Sequence, residues 1–151
     1  MDLAREFWKS SVDAIDLLES IIHEENIDCD WKRNGHCSLA YKQSHFDQFP
    51  EYADWLKKEM GHEKTIIPKE KLKSEIGTTA YFGGLADETS GGLNPAKYVH
   101  GLAKAVAAHG AILCENSQVN SIKNEPNGFE VMTSQGSIKA KEVVIATNGY
   151  T

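Results

Sequence analysis

The segment "EVVIATNGYT" at residues 142–151 constrains the fold more strongly than any other part of the sequence. Residues 143–146 form a short apolar run, which is typical of a strand buried on both faces in a parallel sheet. The Asn148-Gly149 pair that follows predicts a tight turn. Because a strand of this type needs a covering layer on each side, the segment predicts a layered α/β architecture.

Three helices are predicted from apolar spacing and from capping residues. Apolar side chains recur every three to five positions in residues 2–25, and a second helical pattern covers residues 49–60. Residues 95–109 form the clearest helix, since Asn94 suits the N-cap and Pro95 suits the first turn. No second covering helix follows it. The chain is therefore expected to be a segment of a larger α/β protein, or to borrow cover from another copy of itself.

Strands are predicted in the middle and in the last third of the chain. An Asn-Gly pair at the centre of residues 29–42 indicates a β-hairpin, and residues 79–82 indicate a separate strand. Residues 110–115 predict a short apolar strand, and alternating polar and apolar residues over 118–140 predict an antiparallel meander. The predicted fold class is α/β with mixed α+β character.

Charge and composition argue against several classes of partner. The net charge is −6 and the sequence pI is near 5.5, so a nucleic-acid or anionic-membrane surface is not predicted. No apolar run approaches the roughly 20 residues that span a bilayer. Cys29, Cys37 and Cys114 form no CxxC pair, which predicts neither a disulfide framework nor a zinc site. A reducing, cytoplasmic location is the expectation.

Motifs that would fix a catalytic or metal site are missing from the sequence. It contains no GxGxxG or GxxxxGKS/T phosphate loop and no GxSxG nucleophile elbow. It contains no HExxH, and its six histidines are dispersed. No metal site is predicted, and no catalytic residue is assigned.

An ordered pattern over residues 81–151 carries a resemblance to a known family. It runs from "YFGGLADETSGGLNPAKYVHGLAKAVAAHGA" through a strand containing Val119 and a meander to "KEVVIATNGYT". This order resembles the FAD-dependent amine and amino-acid oxidases of the D-amino-acid oxidase superfamily, and within it the gamma-glutamylputrescine oxidase-like subgroup. The resemblance covers about the last 70 residues well and the first 80 loosely.

The resemblance implies that the chain is the central fragment of a truncated two-domain flavoprotein. Family members are longer: they begin with a βαβ unit that carries the glycine fingerprint, and they continue past the final strand seen here. Residues 1–93 are then part of a substrate-side domain with helices and a hairpin. Residues 94–151 are then part of the FAD-binding domain, as a partial layer of helix, strand, meander and core strand.

The resemblance also implies functions for individual residues. Val119 matches the strand position whose backbone meets the adenine ring of FAD, and an ordinary core valine is the alternative. The turn at 146–149 matches the approach to the phosphate and ribityl side of the flavin, and a plain turn glycine is the alternative for Gly149. Residues 81–84 match the chain that passes toward the substrate, although a strand end followed by a loop is favoured there. The cofactor-binding candidates are Val119, Ala146, Thr147, Asn148 and Gly149, and the substrate-side candidates are Tyr81, Gly83 and Gly84.

By this resemblance the intact protein is an oxidoreductase that oxidises a C–N bond of a small amine or amino acid, with FAD as cofactor and O2 as electron acceptor. The chain itself is expected to be inactive and to bind FAD weakly or not at all, because the glycine motif that holds the pyrophosphate is missing. Self-association through an uncovered sheet is expected. The alternative is a stand-alone α+β module that binds a peptide or protein at a sheet edge without flavin.

Overall fold

The computed structural model describes residues 2–149. The chain divides into two compact units, unit 1 (Met1–His109) and unit 2 (Gly110–Thr151). Within the described residues, no helix is long and apolar enough to cross a bilayer. Unit 1 includes the helix that follows Asn94. The assignment of residues 1–93 to a substrate-side domain and of residues 94–151 to an FAD-binding domain remains a prediction.

All of the helices in the described part of the chain lie in unit 1. They are α1 (Asp2–Glu24), α2 (Gln43–Phe46), α3 (Phe49–Met60), α4 (Leu72–Ile76) and α5 (Pro95–Ala108), with a short 3-10 helix at Lys69–Lys71. The three predicted helices are confirmed as α1, α3 and α5. The predicted cap is also present, since the Asn94 side chain accepts a hydrogen bond from the Lys97 amide at 3.2 Å.

Unit 1 contains an antiparallel sheet of three strands, in the order β1–β3–β2. The strands are β1 (His36–Leu39), β2 (Thr65–Pro68) and β3 (Gly83–Asp87). The predicted hairpin at residues 29–42 is wrong, because β1 pairs with β3 rather than with the segment before it. Gly35 does turn the chain, with φ +74°, but its amide donates to the Ser90 carbonyl and Lys32 bridges Gly92. The chain up to the turn therefore pairs with the segment that follows β3, and the chain after the turn pairs with β3 itself.

The strand predicted at residues 79–82 is also wrong, because residues 80–82 bend and the strand begins at Gly83. Close packing explains the shift. A Cβ on Gly83 would overlap the Phe46 ring, and a Cβ on Gly84 would lie 2.7 Å from Cys37 Sγ. The two glycines thus let neighbouring side chains lie directly against the central strand. This packing decides where the strand begins and outweighs the β-propensity of the residues before it.

The core of unit 1 joins α1 to α5. Ile22, Ile27 and Cys29 are buried, and side chains from both helices and from the loop before α5 pack around them: Leu18, Ile21, Trp31, Leu93, Tyr98 and Leu102. Ile27 lies against Gly101 of α5 so closely that any side chain there would overlap it. This cluster is why α5 belongs to unit 1.

Unit 2 is built around the predicted meander, which is confirmed. Its strands are β4 (Val119–Glu125), β5 (Gly128–Thr133) and β6 (Gly136–Ala140), in the order β4–β5–β6. The strands predicted at residues 110–115 and 143–146 are wrong, since both segments lack regular secondary structure. Ile112 and Val144 are each 88% exposed. A central strand takes its hydrogen bonds from strands on both sides, and the sheet of unit 2 consists of the meander alone across the described residues.

Candidate functional site

The predicted cofactor-binding residues lie in two different parts of unit 2. Val119 begins β4 and pairs with Thr133, and the pairing is irregular between Val119 and Ser121. Its side chain is 50% exposed. Residues 146–149 lie outside the sheet and are exposed, with a turn at Asn148-Gly149 as predicted. Asn148 has φ +54°, a left-handed conformation that asparagine tolerates better than most residues.

These residues do not by themselves fit FAD. A phosphate site on a dinucleotide fold needs backbone amides at a helix N-terminus, and the described part of unit 2 contains no helix. A Cβ added at Gly149 would meet nothing within 4 Å, so the turn is open rather than a closely lined cradle. The assignment of Val119, Ala146, Thr147, Asn148 and Gly149 to the cofactor remains a prediction.

The predicted substrate-side residues lie at the start of β3 in unit 1. Gly83 and Gly84 are buried, and Tyr81 is half-buried. Phe46 and Cys37 fill the space beside the two glycines, as described above. The structure therefore shows a packing role for Gly83 and Gly84, and their place near a substrate remains a prediction.

A buried polar cluster at the other end of β3 was not predicted from the sequence. We call it the Asp87 clasp; it consists of Asp87, His62, Lys64 and Thr89. The Thr89 amide and hydroxyl donate to Asp87 Oδ1 at 3.1 and 2.6 Å. His62 Nε2 lies 2.9 Å and Lys64 Nζ 3.3 Å from Asp87 Oδ2. His62 and Asp87 are both buried.

The end of α3 and the pairing of β2 with β3 bring these side chains together. Gly61 ends α3 in the left-handed conformation, with φ +65°, and the His62 amide then donates to the Leu56 carbonyl. Lys64 precedes β2, and Asp87 is the last residue of β3. Only the two hydrogen bonds from Thr89 to Asp87 are local in sequence, and they are of the kind that Asp side chains make with the backbone in turns. The sequence offered no signal for His62 or Lys64, because their contacts with Asp87 depend on the pairing of β2 with β3.

The Asp87 clasp is a poor candidate for acid–base catalysis. Burial raises the pKa of Asp87, but hydrogen bonds from Thr89 and His62 outweigh this effect and hold the pKa well below its usual range. Asp87 Oδ1 accepts two hydrogen bonds from Thr89, and Oδ2 is hydrogen-bonded to His62 and lies within ion-pair distance of Lys64. A buried carboxylate with these partners and a lowered pKa is a weak base, so the cluster is assigned a structural role.

Unit 1 also has an apolar groove of about 530 Å³ between α1 and the start of α5. Its polar edge is occupied, since Trp31 Nε1 donates to Glu19 at 2.8 Å. The groove can hold an apolar group, but its lining offers no carboxylate, imidazole, thiol or amine. The lining residues are Ala14, Ile15, Leu18, Trp31, Ser90, Gly91, Leu93, Pro95, Tyr98 and Val99.

Comparison with known proteins identifies the class to which these elements belong. The family model described as DAO, FAD dependent oxidoreductase, matches residues 1–151. The chain belongs to this family of FAD-dependent oxidoreductases, which confirms the resemblance inferred from residues 81–151 and extends it to the whole chain.

Two curated relatives match nearly the full sequence. The probable oxidoreductase OrdL of Haemophilus influenzae is 34% identical over 150 residues, which are 99% of this chain and 35% of that protein. The gamma-glutamylputrescine oxidoreductase of Escherichia coli is 25% identical over 150 residues, again 99% of this chain and 35% of that protein. The chain thus spans about a third of the length of these relatives.

A solved structure shares the fold. The crystal structure of glycine oxidase from Geobacillus kaustophilus matches with a TM-score of 0.78 at 22% identity, over 92% of this chain and 38% of that chain. This likeness confirms the predicted fold class, a mixed α/β arrangement found within FAD oxidoreductases.

Proposed function

We propose that this chain is part of a flavoprotein that oxidises a C–N bond of a small amine or amino acid, with FAD as cofactor and O2 as electron acceptor. The observation that carries the proposal is the match of the FAD-dependent oxidoreductase family to residues 1–151. The substrate class rests on the names of similar proteins, one an oxidoreductase of gamma-glutamylputrescine and one an oxidase of glycine. FAD carries the oxidation chemistry in such enzymes, while the protein binds and orients the reactants.

Two exposed apolar segments of unit 2 support a cofactor site that is formed together with further parts of a longer protein. The apolar residues at 111–114 and 144–146 have the pattern of buried strands but are exposed, and the similar proteins are about three times as long. We infer that further strands of a family-length protein pair with both segments. Val119 and residues 146–149 then contribute part of an FAD site whose phosphate-binding loop lies in those further segments.

The chain of 151 residues is expected to bind FAD weakly or not at all, because it lacks a glycine-rich loop at a helix N-terminus. Titration of FAD with purified chain, followed by flavin fluorescence and by calorimetry, measures this directly. A stable yellow complex after gel filtration would contradict the expectation.

The proposed activity is tested on the complete gene product that contains this sequence. We expect a bound flavin spectrum, and hydrogen peroxide released in proportion to an amine or amino acid supplied from a panel of both. Alcohols and 2-hydroxy acids of matched size serve as controls, because they lack the C–N bond. A flavin-free product, or oxidation of the control compounds only, would overturn the proposal.

A further inference from the structure

The Asp87 clasp connects parts of unit 1 that are distant in sequence. Asp87 ends the central strand β3 and begins the loop that leads to α5. His62 follows α3, and Trp8 of α1 lies edge-on against its ring, with centroids 5.1 Å apart. The buried carboxylate therefore contacts the segment between α3 and β2 and the loop at 88–94 directly, and it is connected to α1 through the contact of Trp8 with His62.

We propose that the Asp87 clasp is an acid-sensitive switch: when a proton adds to the Asp87 carboxylate, α1 and the loop at 88–94 loosen from the end of the sheet. A protonated carboxyl has lost its charge and one acceptor position. Lys64 then lacks its counter-ion at a side chain that is only 13% exposed. Leaving a buried donor or charge without its partner costs far more than the pair contributes when formed.

The switch depends on Asp87 rather than on the neighbouring histidine. An ionised carboxylate only accepts hydrogen bonds, so His62 Nε2 is the donor in its bond to Asp87. Two further contacts involve charged side chains near the clasp: Glu59 at the end of α3 pairs with Arg5 at 2.9 Å, and Lys64 also faces the Tyr52 ring at 6.0 Å. On β1, exposed His36 lies opposite Asp87 in the strand register.

The direction of the pH effect follows from linkage. The pKa of Asp87 is lowered by folding from its ordinary value of 3.8. The clasp therefore contributes its full stability above pH 3.8, and this contribution is lost as the pH falls further toward the pKa of the folded state. Stability is expected to fall over this acid range, and the folded chain is expected to loosen at its lower end, where the folded Asp87 carboxyl itself binds a proton.

The decisive experiment compares the thermal unfolding of the full chain and two variants between about pH 7 and about pH 3. Asp87→Asn removes the charge with little change in shape. Its Tm is expected to lie roughly 10 °C below the wild-type value near neutral pH, and the gap should shrink as the pH falls. Glu63→Gln is the matched control, because Glu63 also has an ion pair, with Lys57, but its side chain is 73% exposed. That variant should stay within about 2 °C of the wild type at every pH.

A second measurement uses the wild-type chain alone, so the test stands even if Asp87→Asn does not fold. NMR follows the indole N–H signal of Trp8, assigned with Trp8→Phe, together with the side-chain carboxyl carbon of Asp87. The two signals should titrate together. A Tm gap that is independent of pH, or a Trp8 signal that stays unchanged while the Asp87 carboxyl titrates, would overturn the proposal.

Discussion

At the scale of single residues, helix propensity and core packing have opposite effects on a substitution at Gly101. Alanine in a helix interior is favoured over glycine by about 1 kcal/mol. In α5, however, the added methyl group would overlap Ile27 in the buried cluster. Overpacking of a core costs typically 1–3 kcal/mol, so packing should outweigh helix propensity.

We therefore expect Gly101→Ala to lower the free energy of unfolding by about 1 kcal/mol, as measured by urea denaturation. Gly92→Ala is the matched control, since a Cβ there would meet nothing within 4 Å. If Gly101→Ala proved more stable than the wild type, Ile27 would have to move aside at little cost.

The same scale shows what sequence alone could not provide. Asn94 and Pro95 were assigned correctly because a helix cap depends on residues a few positions apart. No local pattern marks Asp87 as part of a buried cluster, although it lies in the glycine-rich segment that carries the family resemblance. The His62 ring and the Lys64 amine, which contact Asp87, come from a distant part of the chain. Sequence spacing does not indicate contacts of this kind.

At the scale of elements, the cap of α5 offers a second prediction. The Asn94 side chain bonds the Lys97 amide, and Asn94→Ala removes this bond. A lost N-cap costs typically about 1 kcal/mol, so unfolding should shift to lower urea concentration with an unchanged slope.

Asn94→Asp is the matched variant, because aspartate is an equally good cap and its charge suits the helix N-terminus. It should unfold at or above the wild-type midpoint. Equal loss in both variants would show that the backbone of the preceding loop, rather than the cap, sets the start of α5.

Elements with local partners were predicted well, and elements with distant partners were not. The meander β4–β5–β6 was found because each of its strands pairs with its neighbour in sequence. The hairpin predicted at residues 29–42 is wrong, since β1 pairs with β3. The apolar runs at 111–114 and 143–146 have a buried-strand pattern, but a pattern cannot supply the neighbouring strands.

At the scale of the whole molecule, exposed apolar surface predicts self-association. The exposed residues of unit 2 include Ile112, Val144 and Ile145. On the meander, Ile122, Val131 and Ile138 lie in one row across the three strands. Apolar surface of this kind favours association with other chains.

Sedimentation velocity over a range of concentrations tests this expectation. The wild-type chain should form larger species as its concentration rises, and Val144→Lys combined with Ile145→Lys should reduce them. Lys123→Ala is the control, because Lys123 lies with Glu130 and Lys139 in the charged row of the meander. A wild-type chain that stays monomeric at high concentration would refute the idea.

The strand order β1–β3–β2 also has a consequence for how the chain acquires its structure. On the ribosome, β1 has no partner until synthesis has passed Gly83, whereas each turn of the meander can close as soon as it emerges. Pairing across a long loop is slow because loop closure must precede the contacts that reward it. Refolding should therefore show a fast phase, in which the meander forms, and a slower phase, in which β3 pairs with β1 and β2.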